Sequence, residues 1–355
     1  MLAGKDQSDS AKECDKMNNR GELCVLSCTS GTPFAKKIMF HLNEIYVKEN
    51  EKDSPRFIEL NEIHFANSEI KTEITQSIRG SDVYIIQDVV NSITGYSVDE
   101  NLRALKTTMD AAYRSGANRI CIVVPTFPYA RQDKSNSREG ITAAKIAEEI
   151  ELCKANQILT LDIHNTAIGG FFRNALLEDL HASRNILTYV KDNIDTKNLI
   201  VLAPDTGGAK RAEYYASKLQ TELGFIYKSR DYSKPNSVKS SVVLGDVKDK
   251  TVLLVDDLID TAGTVVSAVT MIKKEGAKDV YFSCSLPLLN GPAIDRLDAL
   301  YKQGHLKGLI GTDAVYHGDD FSKKYPWFIE VSVARYFARV IFNINHNRSI
   351  SELLK

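Results

Sequence analysis

Long apolar runs are missing from this sequence. None of its hydrophobic stretches approaches the roughly 20 residues that a helix needs to cross a bilayer, which excludes a helical membrane span. A surplus of charge of one sign is missing too. Lys and Arg number 45 against 46 Asp and Glu, a net charge of -1, so the chain carries no electrostatic footprint for nucleic acid or a membrane surface. Paired cysteines are absent. The six, Cys14, Cys24, Cys28, Cys121, Cys153 and Cys284, form no CxxC pair and have no His-rich run beside them. They read as small apolar core residues of a protein at home in a reducing, cytoplasmic compartment. The N-terminus has no apolar signal core. Its polar stretch reads as a disordered lead-in over residues 1–20, and its acidic residues argue against a mitochondrial or plastid address.

What is present is an ordinary globular composition, 43% hydrophobic over 355 residues, long enough for two domains. Short β-branched apolar runs alternate with longer helical patterns. VYIIQDV (83–89), RICIVVP (119–125), QILTLDI (157–163), NLIVLAPD (198–205), TVLLVDD (251–257) and DVYFSCSLP (279–287) read as strands. Their continuous apolarity predicts a mainly parallel sheet covered on both faces. ENLRALKTTMDAAYRSG and AGTVVSAVTMIKKEG predict helices between them, each ending on a glycine. The class is α/β. The halves echo each other, with Gly116 and Gly276 160 residues apart and Asp88 and Asp257 169 apart, as a duplicated unit would give. Any two βαβ units share some of this likeness.

The most informative stretch is VLLVDDLIDTAGT (252–264), where a buried strand runs onto three carboxylates and then Thr-Ala-Gly-Thr. Ligands in open parallel sheets bind at such strand-loop-helix junctions. Free N–H groups at the helix start, with the hydroxyls of Thr261 and Thr264, can cradle a phosphate. Carboxylates do not belong on a bare phosphate, so they face sugar hydroxyls or magnesium, and the loop reads as a sugar-phosphate clamp. A simple Asp N-cap would need only one of the three aspartates.

This loop resembles the phosphoribosyl-diphosphate (PRPP) motif of type I phosphoribosyltransferases and PRPP synthetases. FPYARQDK (127–134), LDIHNTAIGGFF (161–172), APDTGGAKR (203–211) and GDVKDK (245–250) resemble the PRPP synthetase family, in that family's order, over about residues 60 to 345. The resemblance implies two tandem phosphoribosyltransferase-like domains, each a mainly parallel sheet flanked by helices. An ATP-side domain is expected over 21–177, a ribose 5-phosphate-side domain over 178–340 and a tail over 341–355. The implied reaction transfers the diphosphate of MgATP to the C1 hydroxyl of ribose 5-phosphate, releasing AMP. A homo-oligomer, a hexamer built from dimers, is also implied.

By the same resemblance, Asp256, Asp257, Asp260, Thr261, Ala262, Gly263 and Thr264 bind ribose 5-phosphate. Arg131, Gln132, Asp133 and Lys134 line an ATP loop, while Phe65, Asn67 and Glu69 reach the ATP site of a neighbouring subunit; read without the resemblance, Phe65 is a plain core aromatic. His164 and Asp205 stand beside the magnesium-bound phosphates with Asp162 close by, and Gly207 and Gly208 turn the backbone around the diphosphate. Lys228 and Arg230, in a stretch read as a long flexible loop, are the catalytic cations together with His164, and Asn236 is a further loop contact. Ser77, Arg79, Arg138 and Thr166 match a regulatory phosphate and ADP site.

The chain departs from the family pattern at Ser68, Gly140, Asn165, Ala167, Arg173 and Ala262. Arg173 replaces an acid, which weakens a further metal site after GGFF. Two alternatives carry distinct signatures. A non-catalytic regulatory homologue loses the loop cations or the aspartate clamp, and this chain keeps both. A nucleobase phosphoribosyltransferase lacks Arg131-Gln132 and the second domain.

Overall fold

Each of the six apolar runs forms a strand in the computed structural model, which describes residues 20–91, 93–230 and 238–354. The expected lead-in over 1–20, Arg20 apart, and Asn236 lie outside the described residues. The chain divides into two compact units.

In the first unit, β1 (Leu23–Ser27), β2 (Arg56–His64), β3 (Ile70–Ile74), β4 (Asp82–Ile86), β5 (Arg119–Val123), β6 (Gln157–Leu161) and β7 (Leu176–Leu180) form one sheet. Its order is β3-β2-β1-β4-β5-β6-β7. In that order the neighbours from β2 to β6 pair in parallel, and β2 and β3 form an antiparallel hairpin. Helices α1 (Thr32–Glu49), α2 (Val98–Arg114) and α3 (Thr142–Leu152) connect them. β1, β4 and β6 are buried at every residue, the signature of a sheet covered on both faces. A capping box starts α2: Ser97 accepts from the Glu100 N–H, and Glu100 accepts from the Ser97 N–H. Gly116, at φ +78°, closes the turn after that helix, as its glycine ending predicts.

The second unit repeats the plan. Its strands are β8 (Leu199–Ala203), β9 (Glu222–Arg230), β10 (Val238–Leu244), β11 (Thr251–Ile259), β12 (Asp279–Pro287), β13 (Gly308–Thr312) and β14 (Phe328–Val331). The order is β10-β9-β8-β11-β12-β13-β14, parallel except for the antiparallel pair β9 and β10. The helices are α4 (Ser183–Asn193), α5 (Ala209–Leu219), α6 (Gly263–Lys274), α7 (Ala293–Lys302) and the single turn α8 (Phe321–Lys324). Strand for strand, β1 to β7 map onto β8 to β14. β4 and β11 begin at Asp82 and Thr251, 169 residues apart, the same offset as Asp88 and Asp257. That agreement of topology and spacing is the duplication read from the sequence. In each unit the strand order reverses direction at a central pair, β1/β4 and β8/β11, where a doubly wound sheet opens a crevice.

The structure departs from the sequence reading in three places. The last helix, α9 (Ala334–Asn345), belongs to the first unit, although residues up to 340 were expected in the second. Its amphipathic face packs Phe337 edge-on against Phe34 and Phe342 against Tyr46 of α1. Leu161–His164 and the end of β7 from Asp179 onward cluster with the second unit instead of the first; there the Asp162 N–H donates to the Leu180 carbonyl and the Ile163 N–H to Asp179. The stretch around Lys228 and Arg230 is not a long loop throughout. β9 runs to Arg230, with Lys228 opposite Ser241 and Arg230 opposite Val238 on β10. Its Ser, Lys and Asn content reads as loop, yet cross-strand pairing with β10 supplies the backbone partners that local propensity does not.

Candidate active site

The clamp begins inside β11. Asp256 pairs with Cys284 of β12, so both leading aspartates are held by the sheet and not by a loop. Asp260 and Thr261 lead out of the strand, Ala262 takes a left-handed turn at φ +59°, and Gly263 opens α6. Thr261, Gly263 and Thr264 are exposed there, at the helix start where unpaired N–H groups attract an anion. The structure therefore brings Asp256, Asp257, Asp260 and Thr261 to Thr264 together as one strand-loop-helix junction.

The two strand aspartates are electrostatically unequal. Burial and the adjacent Asp257 charge push the Asp256 carboxyl up. Burial acts on Asp257 too, but a hydrogen bond from His164 and the Arg211 charge outweigh it and hold Asp257 down. His164 Nδ1 lies 2.8 Å from Asp257 Oδ2. Arg211 reaches both, 3.6 Å from Asp256 and 3.9 Å from Asp257. His164 is thus tied to the sugar-phosphate clamp of its own unit, a link that sequence spacing did not reveal. Arg211 was quoted within APDTGGAKR but given no role. A signal was available: Lys210 and Arg211 sit in the first turn of α5, where the helix dipole disfavours cations and a nearby anionic partner offsets it.

Asp205 follows β8 and is exposed. Its Oδ1 accepts from the N–H groups of Gly207 at 2.9 Å and Gly208 at 3.2 Å, so the turn expected to face a diphosphate is closed on its own aspartate. Asp162, expected near a metal, is engaged within the unit. It accepts from His181 at 2.9 Å, from the Ala182 N–H at 3.0 Å and from the Ser285 hydroxyl. Burial opposes ionisation, but the His181 and Ser285 hydrogen bonds prevail and its carboxyl titrates low. Those three donors hold the Asp162 carboxylate in place just past the end of β6. Among the described residues, no three or more His, Cys, Asp or Glu side chains group as an all-protein metal cage would require.

The nucleotide candidates lie on the first unit. Phe65 stands at the tip of the β2–β3 hairpin, 47% exposed, so it is no core aromatic. The tip is closed by Phe65 N–H to Glu69 O, and the Asn67 side chain accepts from the Glu69 N–H. In the loop after β5, Tyr129 adopts φ +59° and its hydroxyl donates to Asp99 at 2.6 Å. Arg131, Gln132 and Lys134 are exposed. Gln132 accepts from Thr142 at 2.6 Å, and Asp133 accepts from Asn165. Ser68 of the hairpin tip and Tyr129 of this loop line one cavity of about 440 Å³. Ser77, Arg79, Arg138 and Thr166 are exposed on the same unit. Lys228 and Arg230 are placed by their backbone on β9 alone.

Comparisons with known proteins follow the two-unit division. Residues 23–153 match the model of the N-terminal domain of ribose phosphate pyrophosphokinase, and residues 176–299 match the phosphoribosyl transferase domain. The chain is 38% identical over 290 residues to ribose-phosphate pyrophosphokinase A of Dictyostelium discoideum, covering 81% of this chain and 87% of that protein. It is 39% identical over 291 residues to the ribose-phosphate pyrophosphokinase of Chlorobaculum tepidum, covering 82% and 85%. The crystal structure of phosphoribosylpyrophosphate synthetase from Mycobacterium smegmatis superposes with a TM-score of 0.80 at 29% identity, over 92% of this chain and 99% of that one. Similarity of this extent means that the chain belongs to the ribose-phosphate pyrophosphokinase family.

Proposed function

We propose that this chain is an active ribose-phosphate diphosphokinase, which transfers the diphosphate of ATP to the C1 hydroxyl of ribose 5-phosphate and releases AMP. Family membership supports the reaction. The observation that carries catalytic competence is the intact clamp: two strand-held aspartates, Asp256 and Asp257, lead into an exposed helix start at Gly263, with His164 bonded to Asp257. A non-catalytic relative has no need to keep that arrangement.

The sugar hydroxyls lie against Asp256, Asp257 and Asp260, and the 5-phosphate lies on the N–H groups and hydroxyls of Thr261 to Thr264. The C1 oxygen then attacks the β-phosphorus, forming the new C1–O–P bond while the bridge to the α-phosphate breaks. Asp257 orients the His164 ring beside the reacting groups. Arg131, Gln132, Asp133 and Lys134 bind ATP, with Phe65, Asn67 and Glu69 contributed by a neighbouring copy in a homo-oligomer. Lys228 and Arg230 stabilise charge that develops on the transferring phosphoryl groups, the kind of preorganised contact that lowers barriers most. Ser77, Arg79, Arg138 and Thr166 form a regulatory anion site.

Magnesium suits this donor set. It prefers oxygen and is commonly held by one or two carboxylates plus substrate phosphates, not by a protein cage. Asp205, an exposed carboxylate, would hold it together with His164 and Asp162, and the ion would neutralise phosphate charge. The six-subunit assembly and a cytoplasmic setting complete the reading. AMP release from ATP, dependent on both ribose 5-phosphate and magnesium, is the test. Purified protein without such release overturns the proposal, and His164→Ala with wild-type turnover removes His164 from it.

A further inference from the structure

The clamp contains a residue that resists its own conformation. Ala262 holds φ +59°, a left-handed geometry that is strained for a residue with a Cβ. It is also buried, 3% exposed, within the core cluster of the second unit. Such a strained residue persists only where its surroundings over-determine it.

Two polar contacts around it come from one segment, the turn after β12 and the first turn of α7. Asn290 donates to Asp260 Oδ1 at 3.1 Å, just before the strained residue. Arg296 Nη1 donates to the Thr261 carbonyl at 2.7 Å, on the peptide that joins Thr261 to Ala262. Leu289 and Ala293, on either side of Asn290, are buried in the same cluster as Ala262, so the segment is anchored to the core beneath the clamp.

The peptide bond makes the Arg296 contact consequential. In a planar trans peptide the carbonyl and the N–H point to opposite sides. Holding the Thr261 carbonyl toward the guanidinium therefore aims the Ala262 N–H the other way. A flip of that peptide would replace a donor by a carbonyl dipole at a loop built to receive a phosphate.

We propose that Arg296 and Asn290 are positioning residues for the sugar-phosphate clamp, holding the Asp260–Ala262 backbone in its strained, anion-receiving form. The inference rests on the functional reading above. Arg296 acts through the Thr261–Ala262 peptide, and Asn290 acts through the Asp260 carboxylate.

Steady-state kinetics on the full chain test this. Losing a charged hydrogen bond that organises the clamp should raise KM for ribose 5-phosphate roughly ten- to a hundredfold in Arg296→Ala. KM for ATP and kcat should stay within a few-fold. Arg296→Lys, which can still donate to one carbonyl, should recover most of the loss. Asn290→Ala should show the same selective rise to a smaller degree. Ala262→Gly supplies the decisive arm, because glycine adopts φ +59° without the steric cost. In that background, Arg296→Ala should cost several-fold less than it does beside alanine. An unchanged ribose 5-phosphate KM in Arg296→Ala overturns the inference, as does an equal loss with and without the Ala262→Gly substitution. If the unsubstituted chain releases no AMP at all, the functional reading itself fails, which is a separate outcome.

Discussion

Asp179 sits where a charge is costly. Burial pushes its carboxyl up to about 6, although it accepts a 2.8 Å hydrogen bond from the Ile163 N–H. A carboxyl raised above its unfolded value weakens the fold wherever it is ionised. The cost is full above about pH 6 and gone below about pH 4. Asp179→Asn keeps the accepting oxygen and removes the charge. It should stabilise the protein by on the order of 2 kcal/mol at about pH 8, with the gain vanishing by about pH 4 in denaturant titrations. A second prediction at this scale concerns Lys228 and Arg230. Cations that meet charge only as it develops affect kcat more than binding. Lys228→Ala and Arg230→Ala should lower kcat about a hundredfold or more while KM for ribose 5-phosphate stays within a few-fold; a change in KM alone would make them binding residues. Single-residue roles were only partly legible in the sequence. The placement of the three aspartates at a strand-loop-helix junction was, because carboxylates beside Thr-Ala-Gly-Thr at the end of an apolar run have a local meaning. The ties from His164 to Asp257, 93 residues apart, and from Asp162 to Ser285, 123 apart, were not, since no local pattern encodes such a contact.

Elements with strong period or composition were readable. The β-branched runs became β4, β5, β6, β8, β11 and β12, and the two glycine-ended helical patterns became α2 and α6. The antiparallel hairpins were not seen, because β2, β3, β9 and β10 alternate polar and apolar residues weakly and depend on their partner strands. The placement of α9 was missed for a related reason. Its sequence shows an amphipathic helix but not which unit that helix covers. Glu49 of α1 accepts from Arg339 at 2.8 Å and from Arg348, beyond the end of α9, at 2.9 Å. The hydrogen bond from Arg339, then that from Arg348, brings the Glu49 carboxyl down. A depressed carboxyl contributes stability above its unfolded value, and that contribution fades as pH falls through the folded value. Glu49→Gln should therefore lower stability at about pH 7 by about 1 kcal/mol, the scale of partly exposed pairs. The difference from wild type should shrink as unfolding is followed down to about pH 3. A constant difference at both pH values would mean that the pairs do not hold the C-terminal segment.

For the whole molecule, the proposed contribution of Phe65 to a neighbouring copy makes assembly a condition of activity. The hairpin tip is compatible with that role, since Phe65 stands 47% exposed there instead of packing into the core. Light scattering should report an oligomer, six chains by the family reading, and a fully active monomer would refute the arrangement. Phe65→Ala and His164→Ala chains, each nearly inactive alone, should regain measurable AMP release when dissociated and mixed, because some hybrid sites then hold an intact residue of each kind. Mixtures that stay as inactive as their components would place both residues in the same chain's site.

The sequence by itself determined the α/β class, the duplicated unit and the strand-loop-helix junction proposed as a sugar-phosphate clamp. Each of these is written in short-range chemistry: continuous apolarity for buried parallel strands, a repeated spacing for two like units, and carboxylates beside hydroxyls and glycine for a phosphorylated sugar. Tertiary structure alone decided that α9 covers the first unit and that Arg211 and His164 divide the charge of Asp256 and Asp257 unequally. It also decided that a left-handed Ala262 is held by Asn290 and Arg296 from a distant turn. These outcomes depend on which surfaces meet across long loops. Burial and hydrogen bonding there are set by partners that lie about 30 or more residues away in the chain, where no local pattern of residue types reaches.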